Sequence, residues 1–337
     1  MSTVEFNNII SKLLLDYRIL APVCLEGKGT FSGTDLVTYG DIERIQDVVF
    51  DRKTVYSAKE VVFPPNETMF YFTEEEFKQP SVDQKGILVF ARPCDINAFR
   101  RLDAIYLESG PYPDPYYLQL REKLKFVLME CDHGFKNCFC TSTGTNETGD
   151  FSLLIRTEED QIFCLINDAG LEDLISESLA SNSMRKVDLQ PRFVQRNKTR
   201  LQIPDKLDNS LFAHPLWQEY ASRCTGCGRC NFSCPTCSCF TMQDVFYRDN
   251  PNCGERRRVW ASCMIEGYTE MAGGQEVRKT QGERMRFKVM HKFSDFKKRF
   301  GFHMCVGCGR CDNVCPEYIS LPRCVEKLQE INNGGVS

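Results

Sequence analysis

The chain has 337 residues, 26% of them charged, and a formal net charge of −4 at pH 7. That near balance calls for neither a nucleic-acid nor a membrane partner, and no apolar run is long enough to span a bilayer. Nineteen cysteines without a secretory pattern at the N-terminus point to a reducing cytoplasm and to metal ligation, not to disulfides.

Residues 3–20 carry apolar side chains at helical spacing (Val4, Ile9, Ile10, Leu13, Leu14, Tyr17, Leu20), which predicts an amphipathic opening helix. Strand-rich segments follow: TDLVTYG, KEVVFPPNETMFYFT and GILVFA. The stretch GKGTFSG has Gly27, Gly29 and Gly33 one residue off a dinucleotide loop, with no helix pattern after it, and reads as a turn. With no other phosphate cradle in sight, the chain is expected to hold no flavin or NAD of its own.

Next comes a strand–helix–strand unit. GILVFA ends at Arg92-Pro93-Cys94-Asp95, helical patterns follow, and the apolar strand FVLME ends at Cys131. If the two strands are parallel, the crossover brings Cys94 and Cys131 to one sheet edge, where open α/β sheets bind ligands. The loop CDHGFKNCFC adds Cys138 and Cys140. These four thiols form a candidate third metal site, expected to be a 4Fe–4S cluster, with Asp95 and His133 as substitute ligands. Zinc would satisfy the same sulfurs. Residues 151–167 read as a hairpin turning at Glu158–Gln161, then a helix over Gly170–Ser181, with Cys24 and Cys164 as structural thiols. The polar, proline-punctuated stretch Lys186–Asn209 reads as a linker.

After it, HPLWQEYASR predicts a short helix leading to CTGCGRCNFSCP (Cys224, Cys227, Cys230, Cys234). The pattern returns as CVGCGRCDNVCP (Cys305, Cys308, Cys311, Cys315). Both runs have the spacing C-x2-C-x2-C-x3-C-P of two-cluster ferredoxins, in which the fourth cysteine of each run serves the other cluster. Cys224, Cys227, Cys230 and Cys315 are therefore assigned to one 4Fe–4S cluster, and Cys305, Cys308, Cys311 and Cys234 to its partner. Two copies of a twelve-residue pattern leave little room for zinc sites or a disulfide framework. Cys237 and Cys239, which overshoot the first run, read as thiols packed around the clusters. Residues 236–304 form a long insertion with a WASC segment. Its stretch 278–300 has nine Lys or Arg against two acidic residues and reads as a solvated face, a docking surface or a source of positive charge for the clusters.

The expected architecture is an N-terminal α/β or α+β domain (1–205) with a mixed sheet, followed by a mainly α, two-cluster ferredoxin-like domain (206–337) carrying the insertion. The segments ARPCDINAFRRLDAIYL, CDHGFKNCFCTSTG, CPTCSC and WASC, with the two cysteine runs, make the chain resemble the A subunit of anaerobic sulfite reductase. Relatives of that family include the β subunits of cytoplasmic sulfhydrogenases. The resemblance implies a complex in which one partner binds FAD and NADH and another carries sirohaem and reduces sulfite. This chain would pass electrons between them as an iron–sulfur subunit without a substrate site. The alternative is a sulfhydrogenase β subunit serving a nickel–iron hydrogenase. A sirohaem in this chain is not expected, because Cys227 and Cys308 complete ferredoxin runs and no anion-binding Arg/Lys set stands beside them.

Overall fold

The computed structural model of the chain describes residues 1–178, 188–207 and 209–333. Helix α1 (Thr3–Asp16) starts at a reciprocal cap, in which the Glu5 amide donates to the Ser2 hydroxyl and the Ser2 amide to the Glu5 carboxylate. Phe6, Ile9, Ile10 and Leu13 form its buried stripe. Then come β1 (Tyr17–Leu25), β2 (Leu36–Asp41), β3 (Asn66–Phe72), β4 (Phe77–Lys78), β5 (Gly86–Ala91), α2 (Pro93–Tyr106), α3 (Pro115–Arg121) and β6 (Leu124–Met129). The short α4 (Cys140–Thr143), the hairpin β7 (Leu153–Glu158) and β8 (Gln161–Ile166), and α5 (Ala169–Ser178) complete this half. The end of the helix expected over Gly170–Ser181 and parts of the expected linker (Lys186, Val187, Asp208) lie outside the described residues.

A six-stranded sheet runs in the order β2-β1-β5-β6-β7-β8. Strands β1, β5, β6 and β7 are parallel, and antiparallel β2 and β8 close its edges. This is the mixed sheet the sequence predicts. GILVFA is apolar throughout because both faces of its strand are covered. Ile87, Val89 and Ala91 pack with Phe99, Leu102 and Tyr117 from α2 and α3. Leu88 and Phe90 join Phe6, Ile9 and Ile175 from α1 and α5. The parallel pairing of β5 with β6 puts the following segments at one sheet edge.

The second half holds α6 (Leu216–Arg223), α7 (Arg229–Phe232), β9 (Phe240–Phe246), β10 (Gly254–Trp260), the minimal pair β11 (Glu270–Met271) and β12 (Gln275–Glu276), α8 (Gln281–Met290), α9 (Phe296–Phe300), α10 (Arg310–Asn313) and α11 (Leu321–Asn332). The insertion is ordered by pairing with the first half: β9 and β10 join β3 and β4 in a four-stranded sheet, β4-β3-β10-β9. Arg258 on β10 is buried and ion-paired at 2.7 Å to both Glu67 on β3 and Asp114, the N-cap of α3. The basic stretch becomes α8 and α9 joined by a π-helical turn (His291–Asp295). Among the described residues no helix is long and apolar enough to cross a membrane.

Candidate metal centres

Each cysteine run folds as a tight loop entering a four-residue helix, α7 after Gly228 and α10 after Gly309. Both glycines have left-handed backbones (φ 74° and 69°), where a side chain would be strained. The two short helices pack together, so the ends of each run face the other. Cys224, Cys227, Cys230 and Cys315 line one cavity, and Cys234, Cys305, Cys308 and Cys311 line a second. Cys311 also lines the first cavity and Cys230 the second, so the eight cysteines of the two runs gather around two adjoining cavities. Among the described residues no three His, Cys, Asp or Glu are arranged to hold a single metal ion. A four-iron cluster instead takes its thiolates at the corners of a cube.

The two runs differ in surroundings. Cys227 is exposed, whereas Cys308 is buried against the N-terminal half. Gly307 lies so near the Phe139 and Cys140 backbone that an added Cβ would sit only 2.6 Å away, and the Phe139 amide donates to Gly307 O at 2.7 Å. Lys53 ties the halves together, donating to Cys308 O at 2.6 Å and reaching Cys138 Sγ at 3.4 Å.

The four N-terminal thiols gather at this seam. Cys94 opens α2 and packs with Ala98, Val306 and Cys308. Cys131 follows β6, and Cys138 and Cys140 bracket the start of α4. Burial first, then the charges of Cys138 and Cys131, push the Cys140 thiol up to about 12. Burial, then Asp95 and Cys308, hold Cys94 well above its ordinary range. Such mutual repulsion marks thiols sharing one small volume, and bound metal would relieve it.

The substitute ligands fare differently. Asp95 is buried and engaged by Arg310 of the second run through bonds of 2.6 and 2.8 Å. Its carboxylate neutralises an arginine and is not free to replace a thiolate. His133 is exposed, with Nδ1 on Asp132.

The basic stretch also departs from a solvated face. Arg284, Lys288 and Lys292 are buried, so Arg284 and Lys288 cannot dock a partner. Arg284 pairs with Glu276. Lys292 donates to Cys234 Sγ at 3.3 Å and to Thr236 Oγ1 at 3.0 Å. Burial alone would depress Lys288, but the thiolates of Cys230 and Cys311 pull it well above its ordinary value. Lys59, also buried, donates to Cys237 O at 3.0 Å, and the sequence reading singled out none of Lys53, Lys59 and Lys292. Apart from the excess of basic residues around Lys292, no local pattern marks a lysine that turns inward.

The comparisons bear on this site. Residues 223–319 match the model of the 4Fe-4S dicluster domain family. This segment is a 4Fe–4S dicluster domain. Over 305 residues the chain is 29% identical to "Sulfhydrogenase 2 subunit beta" of Pyrococcus furiosus, a span covering 87% of this chain and 89% of that relative. No solved structure matches the chain.

Proposed function

We propose that the chain is an iron–sulfur electron-transfer subunit of a heteromeric oxidoreductase. The observation that carries this reading is the pair of adjoining cavities lined by the eight ferredoxin cysteines, with Cys230 and Cys311 in the walls of both. When bound there, 4Fe–4S clusters supply reversible one-electron carriers. Cys224, Cys227, Cys230 and Cys315 would hold one, and Cys234, Cys305, Cys308 and Cys311 the other. Cys94, Cys131, Cys138 and Cys140 would hold a third, in the domain read as 1–205. The protein's own part is to set order and charge. The N-terminal group abuts Cys308, Cys230 and Cys311 face both ferredoxin cavities through the walls they share, and Cys227 reaches the surface. This arrangement supports a line of carriers running from the sheet edge to an outlet at Cys227.

For its partners, we read the chain as serving a flavin subunit that takes electrons from NADH and a sirohaem subunit that reduces sulfite, in the cytoplasm. The similarity to a sulfhydrogenase β subunit favours a second reading, with a nickel–iron hydrogenase as partner. Assay of the native complex separates them. NADH-dependent sulfite reduction supports the first, and hydrogen-dependent reduction of NAD or of a dye supports the second. A complex with neither activity overturns both.

Two expectations follow for the chain itself. Lys292 lies 3.3 Å from Cys234 Sγ, so its charge favours the reduced, more anionic state of that centre. Losing about 1.4 kcal/mol of that preference lowers a one-electron potential by roughly 59 mV. Lys292→Gln should therefore lower the midpoint of that centre by this order, read by redox titration with EPR detection. An unchanged midpoint would show that Lys292 has no such influence. In the full chain, Cys140→Ser should remove about four iron and four acid-labile sulfide relative to the parent. Unchanged iron would rule out the N-terminal cluster, and zinc without sulfide in the parent would make that site a structural staple.

A further inference from the structure

Three cysteines outside these sets meet beneath the β9–β10 hairpin. Cys237 and Cys239 immediately precede β9, and Cys263 follows β10. The register that pairs Phe240 with Trp260 brings them together across the sequence. The Ala261 amide donates to Cys239 O at 3.0 Å, which closes the open end of the hairpin. Cys237 and Cys263 are buried and Cys239 is half-buried, and all three line one cavity. Asn231, itself buried, donates from Nδ2 to Cys263 Sγ at 3.1 Å and to Ser262 Oγ at 3.0 Å. A donor aimed at sulfur from a buried amide stabilises thiolate over thiol.

The three thiols open on a cavity of about 240 Å³, larger than the cavities at the ferredoxin cysteines (about 40 and 20 Å³). Its other walls are mixed: Arg278, Lys288, Lys292, Tyr268 and His291 stand beside the apolar Phe287 and Met304. Lys288 and Lys292 are buried, and their partners described above are sulfur and hydroxyl groups, not carboxylates. Both ammonium groups also face the ferredoxin cysteines, so an anion in this cavity would share their charge with those centres.

We propose that Cys237, Cys239 and Cys263 hold a further iron–sulfur cluster, whose negative charge Lys288, Lys292 and Arg278 offset. A three-cysteine set leaves one metal position to a non-thiolate ligand, and the wall carrying Tyr268 and His291 faces it across the cavity. The three thiols do not form a single-ion site, and neither do the ferredoxin cysteines. Ligation exchanges thiol protons for iron, and ferrous and ferric iron supplied together with sulfide give the mixed-valence core without oxidising or reducing a thiol. Cys237 lies three residues past Cys234, and Lys292 lines both cavities. The site therefore sits beside the relay, as a branch from it. The inference rests on the iron–sulfur reading above only in supposing that the chain is loaded with iron and sulfide.

Native mass spectrometry of the full-length wild-type chain, loaded anaerobically with iron and sulfide, tests this without depending on the folding of a variant. The wild type is expected to carry one Fe4S4 increment more than the eight ferredoxin cysteines and the N-terminal group together supply. Cys239→Ser and Cys263→Ser should each lose that increment while the EPR signals of the ferredoxin pair persist. Cys140→Ser loses a different one. Equal increments in the wild type and in both variants, or zinc in place of iron and sulfide, overturn the proposal. Loss of the Cys308 cluster's signal in Cys308→Ala tests the ferredoxin reading separately.

Discussion

Cys308→Ala is expected to cost the chain one cluster and to cut electron flow through it. The thiol is buried at the seam between the halves, in the cavity it shares with Cys234, Cys305 and Cys311. Water is a poor replacement for a thiolate there, since the site is closed in by Phe139, Val306 and the Lys53 contact. The centre should be lost, with about four iron, or fall to a three-iron form with loss of about one. Both outcomes are visible by iron analysis and EPR. In the complex, reduction of the partner on the acceptor side should fall to background, while reduction of the partner on the donor side by its own substrate persists. Survival of both half-reactions and of their coupling would rule out the relay role. Cys227→Ala should also lose a centre, but at the exposed end of the line, so the N-terminal side of the relay stays reducible.

The second large effect separates two arginines that the repeat makes equivalent. Arg310 and Arg229 occupy the same place in their runs, yet Arg310 is 2% exposed and Arg229 lies on the surface. Arg310 holds Asp95 through two bonds and donates to Thr54 through two more. Removing one partner of a buried pair strands the other charge, which costs about 3–5 kcal/mol. Arg310→Ala should therefore destabilise the chain by that order. Arg229→Ala should stay within about 0.5 kcal/mol, as surface changes do. Anaerobic denaturant unfolding compares the two. The Asp95→Ala, Arg310→Ala double variant should lose less than the sum of the singles, because each single leaves the other's charge unpaired. Equal losses in the two arginine variants would show that the buried pair contributes nothing special.

Much of this was legible in the cysteines. Their repeated spacing predicts the crossed sets, and the structure gathers the eight cysteines around two adjoining cavities that share Cys230 and Cys311. The strand–helix–strand unit ending at Cys94 and Cys131 predicts a shared sheet edge, and β5 and β6 are parallel as that requires. The insertion was not legible. Its strand β10 finds its partner in β3, nearly two hundred residues earlier, with β9 on its other side, and short strands carry no local mark of so distant a neighbour. The pairing also joins the two halves across the line drawn at residue 205. The segment KEVVF, read as part of a strand, folds instead as a 3-10 turn over Ala58–Val61, and only the residues from Asn66 onward pair.

The sequence by itself determined the two ferredoxin-type cysteine runs and a sheet-forming first half, and it placed four more cysteines toward one edge of that sheet. Ligand spacing within a loop is a local property, so it survives in one dimension. The tertiary structure alone decided where charge goes. Lys292 and Arg310 look like surface residues in the sequence, because a lysine or arginine carries no sign of the direction it will face. Burial turns Lys292 toward Cys234 Sγ and gives Arg310 the carboxylate of Asp95. The same long-range register brings Cys263 to Cys237 and Cys239. These pairings follow from strand partners and domain contacts far apart in the chain, which no periodicity encodes.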